Sequence, residues 1–153
     1  MNGSAGSSGR AWAPDRGSMT VEVAFLLVLL VVPLFYLVGT VGRVQAGAYA
    51  VTAGAREAGR SYVTADSVDE AAGRAEAAAG LVARAHGFAP GDLRLGLACG
   101  GPGCLEPGGA VVVDAVVEVP LPLVPDFMVG RVPSTVRLTA RHTEPVDEFR
   151  TRG

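Results

Sequence analysis

A single carboxylate stands at the start of the longest apolar run in this sequence. The segment Arg16-Gly17-Ser18-Met19-Thr20-Val21-Glu22 leads into a stretch, Val21 to Val41, whose other residues are almost all aliphatic or aromatic. Burying a carboxylate beside an apolar span is costly, so a residue such as Glu22 tends to mark function. At a membrane interface, however, headgroups and water would solvate the same carboxylate, and it would then need no specific partner.

The two cysteines form the second candidate for chemistry. Cys99 and Cys104 bracket Gly-Gly-Pro-Gly, which is flexible enough to bring the two sulfur atoms together. In an oxidising compartment this pattern predicts a small disulfide-closed turn between two strands, with stabilisation near the low end of about 2–4 kcal/mol. A zinc site would need two further ligands, and His86 and His142 have no C-x-x-C companion. We therefore expect no metal and no cofactor.

Catalytic motifs find no support in the sequence. There is no G-x-S-x-G elbow, and Cys99 has no histidine near it in the chain. The glycine-rich stretch 98–109 lacks the lysine and the following helix of a phosphate-binding loop. We therefore expect that the protein is not an enzyme. The one catalytic site that remains conceivable would have to assemble from Asp114, His142 and Glu144.

Composition limits the other classes of function. The chain has 153 residues, enough for one modest domain, and its formal net charge is −2. All basic side chains are arginines, and they form no basic face or stripe of the kind that binds nucleic acid. We therefore expect no nucleic-acid partner.

The apolar run predicts a membrane helix. Roughly 20 helical residues at a rise of 1.5 Å span the ~30 Å hydrocarbon core of a bilayer. Pro33 should bend this helix, because it removes one backbone hydrogen bond. Arg43, just beyond the run, can snorkel toward water from the helix end. A cleaved secretory signal is the alternative, and Ala46-Gly47-Ala48 would suit its small-x-small site, but its apolar region is usually shorter.

The pattern after the span predicts an α+β domain. Small residues at Ala46, Ala50, Gly54 and Ala58 continue the helix and would let a neighbouring helix approach closely. Ser67-Val68-Asp69-Glu70 is a capping box that begins a second, short helix ending at Gly87. Alternating patterns predict an antiparallel sheet of about three strands. These strands are 93–97, 111–119 and 136–140.

The remaining boundaries follow from composition. Residues 1–17 should form a disordered leader, residues 18–61 the long N-terminal helix, residues 62–144 a small α+β domain, and residues 145–153 a loose tail. Three prolines within Pro120–Val129 forbid a central strand there, so we expect an apolar loop that packs on the sheet or lies against the membrane.

The spacing at the entrance of the span carries a family resemblance. If the chain is cut between Gly17 and Ser18, Glu22 becomes the fifth residue of the mature protein, the arrangement of a type III signal. The segment Arg16 to Arg60, with its entry GSMTVEVAFLL and its exit VTAGAREAGR, resembles the TadE-like family of tight-adherence pseudopilins. The resemblance continues weakly into Val119–Pro125 and Val136–Ala140.

That resemblance implies a single-pass protein of the cell membrane with its C-terminal domain outside the cytoplasm. A prepilin peptidase would cleave after Gly17, and Glu22 would help to align each subunit with the N-terminal amine of a neighbour. The implied function is structural, as a subunit of a tight-adherence pilus or related secretion system. Its partners would be the membrane, the peptidase, other pilin or pseudopilin subunits and an assembly platform.

A second function stays open. The span could be a plain anchor or a secretory signal for a small extracytoplasmic binding domain, with Pro120–Val129 as its contact surface.

Overall fold

The computed structural model describes residues 16–121, 130 and 134–149, and every structural statement here concerns those residues. The fold is α+β, as the sequence predicts. In chain order the elements are the helices α1 (Arg16–Val63) and α2 (Val68–Ala85), a 3-10 helix (Pro90–Asp92), and the strands β1 (Leu93–Gly100), β2 (Ala110–Pro120) and β3 (Thr135–Pro145).

The chain divides into two compact units, Met1–Phe35 and Tyr36–Gly153. In the first unit, the described part is the N-terminal portion of α1. Its apolar side chains are exposed along the whole length, including Phe25 at 65% and Leu30 at 68%. This helix is long and apolar enough to cross a membrane, and none of its most apolar window is buried. A core helix of a soluble protein would instead be mostly covered.

In the second unit, α2 has well-defined ends. The hydroxyl of Ser67 accepts a hydrogen bond from the N–H of Glu70 at 3.3 Å, which is the predicted N-cap. At the other end the N–H of Phe88 donates to the Ala83 carbonyl and that of Gly87 to the Arg84 carbonyl, a Schellman motif. Gly87 has φ +77°, a left-handed conformation that glycine adopts without steric cost.

The three strands form one antiparallel sheet in the order β1-β2-β3. Leu93 pairs with Val117 of β2, and Val117 pairs in turn with Leu138 of β3. Because side chains alternate across a strand, the odd-numbered residues of β2 face the helices and the even-numbered ones face outward. The buried residues are the odd-numbered set, namely Val111, Val113, Ala115, Val117 and Val119.

The core of the second unit lies between this sheet face and the helices. Ala50, Ala55 and Ala58 of α1 are essentially inaccessible, and the inward-facing residues of α2 are Ala71, Ala75, Ala79 and Ala83. Small side chains on both helices bring the backbones close together, and the largest side chains that are completely enclosed are the valines of β2, Val111, Val113, Val117 and Val119. Burying a valine contributes about 1.5–3 kcal/mol, so β2 supplies a large share of the hydrophobic stabilisation.

Several predicted boundaries shift. Helix α1 begins at Arg16 rather than Ser18 and ends at Val63 rather than residue 61. The tail does not become loose at residue 145, because Val146 is buried and its N–H donates to the Gly109 carbonyl at 2.8 Å. Residues 1–15, the predicted leader apart from its last two positions, lie outside the described residues, as do 122–129 of the apolar loop and the end of the tail, 150–153.

Candidate functional site

The predicted processing site lies at the beginning of α1. Gly17 and Ser18 belong to the first turns of the helix, and the exposed Glu22 follows Ser18 by four residues. Residues four apart lie on the same side of a helix, one turn from each other. A helix that began at Ser18 would therefore carry its free amine and the Glu22 carboxylate on one side.

The small-residue row on α1 packs inside its own domain. A methyl group built on Gly54 would come within 2.5 Å of Leu93 Cδ2, and one on Gly47 within 2.5 Å of Val119 Cγ2 and 3.0 Å of Leu138 Cδ1. Ala50 and Ala58 are fully buried in the same core. The close approach that small residues allow on this side of α1 is therefore made by the chain's own core, in which Leu93 lies against Gly54.

Arg43 binds the end of α2. Its Nη1 donates a hydrogen bond to the Gly87 carbonyl at 3.1 Å, and its guanidinium carbon lies 4.3 Å from the centre of the Phe88 ring. The carbonyls at a helix C-terminus carry partial negative charge, so a cation there is favourable, and the aromatic face attracts it as well. Arg43, which the sequence places just beyond the apolar run, thus makes a defined contact within the domain.

An aromatic pair lies beside this contact. The rings of Tyr49 and His86 stack with centroids 6.4 Å apart and planes 18° from parallel. Tyr49 is 68% exposed, so the pair is at the surface of the domain. Arg43 and the turn His86–Ala89 together form one end of the domain, which we call the base of the domain.

The cysteines form the predicted disulfide. Cys99 and Cys104 are bonded across the turn between β1 and β2, with their Cα atoms 4.5 Å apart. Cys99 is exposed at the end of β1, whereas Cys104 is buried. The bond therefore ties a surface strand end to the edge of the core.

The residues of the one possible catalytic site are not brought together. Asp114 pairs with Arg141 across the sheet, and its even number places it on the outer face. His142 and Glu144 lie on the opposite, helix-facing side, where His142 Nε2 is 2.8 Å from Glu144 Oε2. The sheet separates Asp114 from His142 and Glu144, so these three residues do not form one site.

Asp114 has a structural partner instead. Arg141 donates two hydrogen bonds to it, from Nε at 2.7 Å and from Nη2 at 3.0 Å. These bonds, and to a lesser degree the charge of Arg141, hold the pKa of the Asp114 carboxyl below its ordinary value. This exposed ion pair joins β2 to β3 on the outer face of the sheet. Because its pKa is lowered, the Asp114 carboxyl is ionised at neutral pH and has no proton to donate. Within the described ranges, no cluster of three or more His, Cys, Asp or Glu side chains could hold a metal ion.

Sequence reasoning missed the contact between Arg43 and the turn after α2. The sequence carries a signal for each of the two partners, though not for their contact. Gly87 followed by Phe88 is the glycine-hydrophobe pair of a Schellman motif, and Arg43 is the first charge after the apolar run. Their contact itself depends on how α1 and α2 pack, which neither signal contains.

Comparison with known proteins gives no family for this chain. No protein-family model, no curated protein and no solved structure matches it.

Proposed function

We propose that this chain is a membrane-anchored, pilin-like structural subunit of the TadE-like kind. The observation that carries the proposal is the double use of α1. Its N-terminal part exposes an unbroken apolar surface, while its C-terminal part supplies buried residues to an α+β domain. A helix of this kind can hold the subunit in a membrane and later pack against the helices of other subunits.

The charge distribution of α1 supports a role for Glu22 in assembly. Between Glu22 and Arg43 the sequence has no charged residue, so Glu22 is the one carboxylate that helix packing along this stretch would enclose. An enclosed carboxylate is costly unless it is paired. Cleavage after Gly17 would create an ammonium group on Ser18, which is a partner of opposite charge on a neighbouring subunit.

The disulfide supports an extracytoplasmic domain. Disulfides persist in oxidising compartments and are rare in the cytoplasm, where thiols are kept reduced. A bond between Cys99 and Cys104 therefore favours an orientation in which residues 1–17 face the cytoplasm and the domain lies outside it. This orientation gives a prepilin peptidase access to Gly17 from the cytoplasmic side.

The packing of α1 weighs against the secretory alternative. Cleavage at Ala46-Gly47-Ala48 would remove Arg43 from the end of α2 and Gly47 from its contact with Val119. The released domain would begin inside a helix that contributes to its core. The function we propose therefore keeps α1 whole, and it is structural rather than catalytic.

Substitution of Glu22 in the native host tests the proposal. We expect Glu22→Ala and Glu22→Gln to be cleaved after Gly17 as the parent is, yet to be absent from the assembled fraction that sediments after shearing. Glutamine fails along with alanine because it cannot pair with an ammonium charge. Glu57→Gln is the matched control, since Glu57 is an exposed carboxylate of the same helix beyond the apolar run. Normal assembly of Glu22→Gln would exclude the role proposed for Glu22.

A further inference from the structure

We propose that the base of the domain rests on the membrane surface, where Arg43 binds the anionic phosphates of phospholipid headgroups. This inference depends on the proposed function only in requiring α1 to be a membrane anchor. It does not depend on cleavage at Gly17 or on the pairing of Glu22.

The length of the apolar run brings Arg43 to the headgroups. The uncharged helical stretch between Glu22 and Arg43 is about 30 Å long at 1.5 Å per residue, which matches the hydrocarbon thickness of a bilayer. Arg43 is the first charge beyond it, and the last residues of the run, from Tyr36, belong to the same compact unit as the base. An arginine at this depth lies among phosphates.

The contact of Arg43 with the turn places the rest of the base at the same depth in the membrane surface. The hydrogen bond to Gly87 and the position over Phe88 hold the guanidinium against the turn. Wherever Arg43 meets a phosphate, the turn His86–Ala89 is therefore at the membrane surface too. The bond to Gly87 uses one of the five N–H donors of a guanidinium, so others can reach a phosphate oxygen.

The charges of the domain favour this orientation. The packing of Gly47 on Val119 and of Gly59 on Val113 shows that β2 ends near the base and begins at the opposite end. Among the residues that the structure describes, basic side chains outnumber acidic ones near the base, where Arg43, Arg84, Arg94 and Arg137 accompany the carboxylates Asp92 and Glu118. At the opposite end the described acidic side chains are in excess, and Asp66, Asp69, Glu70, Glu106, Glu144, Asp147 and Glu148 accompany Arg60 and Arg74.

The two described carboxylates near the base each accept a hydrogen bond. Glu118 accepts a hydrogen bond from Arg94 at 2.7 Å, and Asp92 accepts one from the N–H of Ala89 at 2.8 Å. The charge of Glu118 is offset by that of Arg94, and the described arginines near the base still exceed the described carboxylates. Arg43 and the exposed Arg84 face the membrane surface with their charges available, so the occupant that fits the base is an anionic lipid surface.

Depth-dependent fluorescence quenching in the full chain tests the proposal. The single tryptophan, Trp12, is first replaced by phenylalanine, and a reporter is introduced by Ala89→Trp at the exposed position that ends the base. The matched control is Val68→Trp, exposed at the opposite end of α2. Each variant is reconstituted in phosphatidylglycerol-containing vesicles with and without brominated acyl chains, and insertion is checked by carbonate washing.

We expect brominated lipid to remove about half of the emission of the Ala89→Trp reporter, because the quencher lies within the ~15 Å of the adjacent leaflet. The Val68→Trp reporter should be unaffected. Equal, weak quenching of both reporters in carbonate-resistant protein would overturn the docking of the base and leave the anchor intact. A reporter at position 89 that is shielded from water but not quenched would indicate a protein contact and would also overturn it. Loss of the chain on carbonate washing would contradict both this inference and the membrane anchor.

Two variants identify the groups responsible. Adding Arg43→Gln to the Ala89→Trp protein should bring its quenching close to that of the control, with the domain's circular dichroism unchanged. Adding Arg84→Gln, which leaves the Arg43 contact in place, should weaken quenching only in anionic vesicles and only at low salt. Quenching that persists undiminished with Arg43→Gln would contradict the role of Arg43 as the headgroup ligand.

Discussion

Arg43 of α1 and Gly87, in the turn that follows α2, are joined by a hydrogen bond of 3.1 Å from Nη1 to the Gly87 carbonyl, although 44 positions separate them in the chain. The bond joins the point where the apolar run of α1 ends to the turn that leads into the sheet. Arg43 thus holds this part of α1 against the turn that follows α2.

The conformation of Gly87 gives a direct test of this turn. We expect Gly87→Ala to lower the free energy of unfolding of the domain by about 1–2 kcal/mol, because a side chain at a left-handed φ is strained. The new methyl group would also lie 3.3 Å from Arg43 Nη1. Gly73→Ala, at an exposed position of the same helix with no atom nearby, should raise stability by about 0.5–1 kcal/mol. Chemical unfolding of the full chain in detergent measures both, and an unchanged midpoint for Gly87→Ala would count against the turn as described.

The close packing of α1 on the sheet predicts a second effect of an added methyl group. Gly47→Ala would crowd Val119 and Leu138, and overpacking of this kind costs about 1–3 kcal/mol. Gly42→Ala, five residues earlier, meets no atom within 4 Å and should be tolerated. The same unfolding assay compares the two variants. Equal stability of the two would show that α1 is not in contact with β2 at Gly47.

The disulfide should stabilise the domain modestly and report its compartment. Combining Cys99→Ser with Cys104→Ala should lower the free energy of unfolding by about 2 kcal/mol, the value for a short closed loop. In protein denatured directly from native membranes, a maleimide should label neither cysteine until a reductant is added. Free thiols at that stage would contradict an extracytoplasmic domain.

The ion pair between Asp114 and Arg141 predicts a specific titration. Its hydrogen bonds keep the folded-state pKa of Asp114 below the ordinary 3.8, so the carboxylate form is favoured on folding. The stabilising contribution is therefore present above pH 3.8 and disappears as the pH falls through the lower, folded-state value. Carbon NMR of the Asp114 carboxyl should give a midpoint below 3.8 in the parent and a higher one in Arg141→Gln. Identical midpoints in both proteins would contradict the pairing.

Local sequence patterns are sufficient to predict the strands and the start of α2. Alternating valines and leucines predicted three strands, and Ser67 with Glu70 predicted the start of α2, because these signals depend on neighbours in the chain. The disulfide between Cys99 and Cys104 was equally accessible, since a short glycine-rich loop separates the two.

The features that local sequence patterns do not predict depend on contacts between residues that are distant in the chain. The sequence does not reveal the register, which pairs Asp114 with Arg141 and so puts His142 on the opposite face of the sheet. The spacing of Gly54 indicates only that some element approaches α1 closely, and in the structure that element is β1, through Leu93. A single valine within a polar segment forms no periodic pattern, so the sequence does not predict that Val146 is buried.

The N-terminal sequence and intact mass of the protein recovered from membranes of its native host test the central claim most directly. The account predicts a chain that begins at Ser18 and retains the apolar part of α1, so that Glu22 is the fifth residue. A chain beginning near Tyr49 in the soluble fraction would contradict it and indicate a secreted domain. An uncleaved N-terminus in the membrane would also contradict it, leaving α1 as a plain anchor and Glu22 as an interfacial carboxylate without a role in assembly.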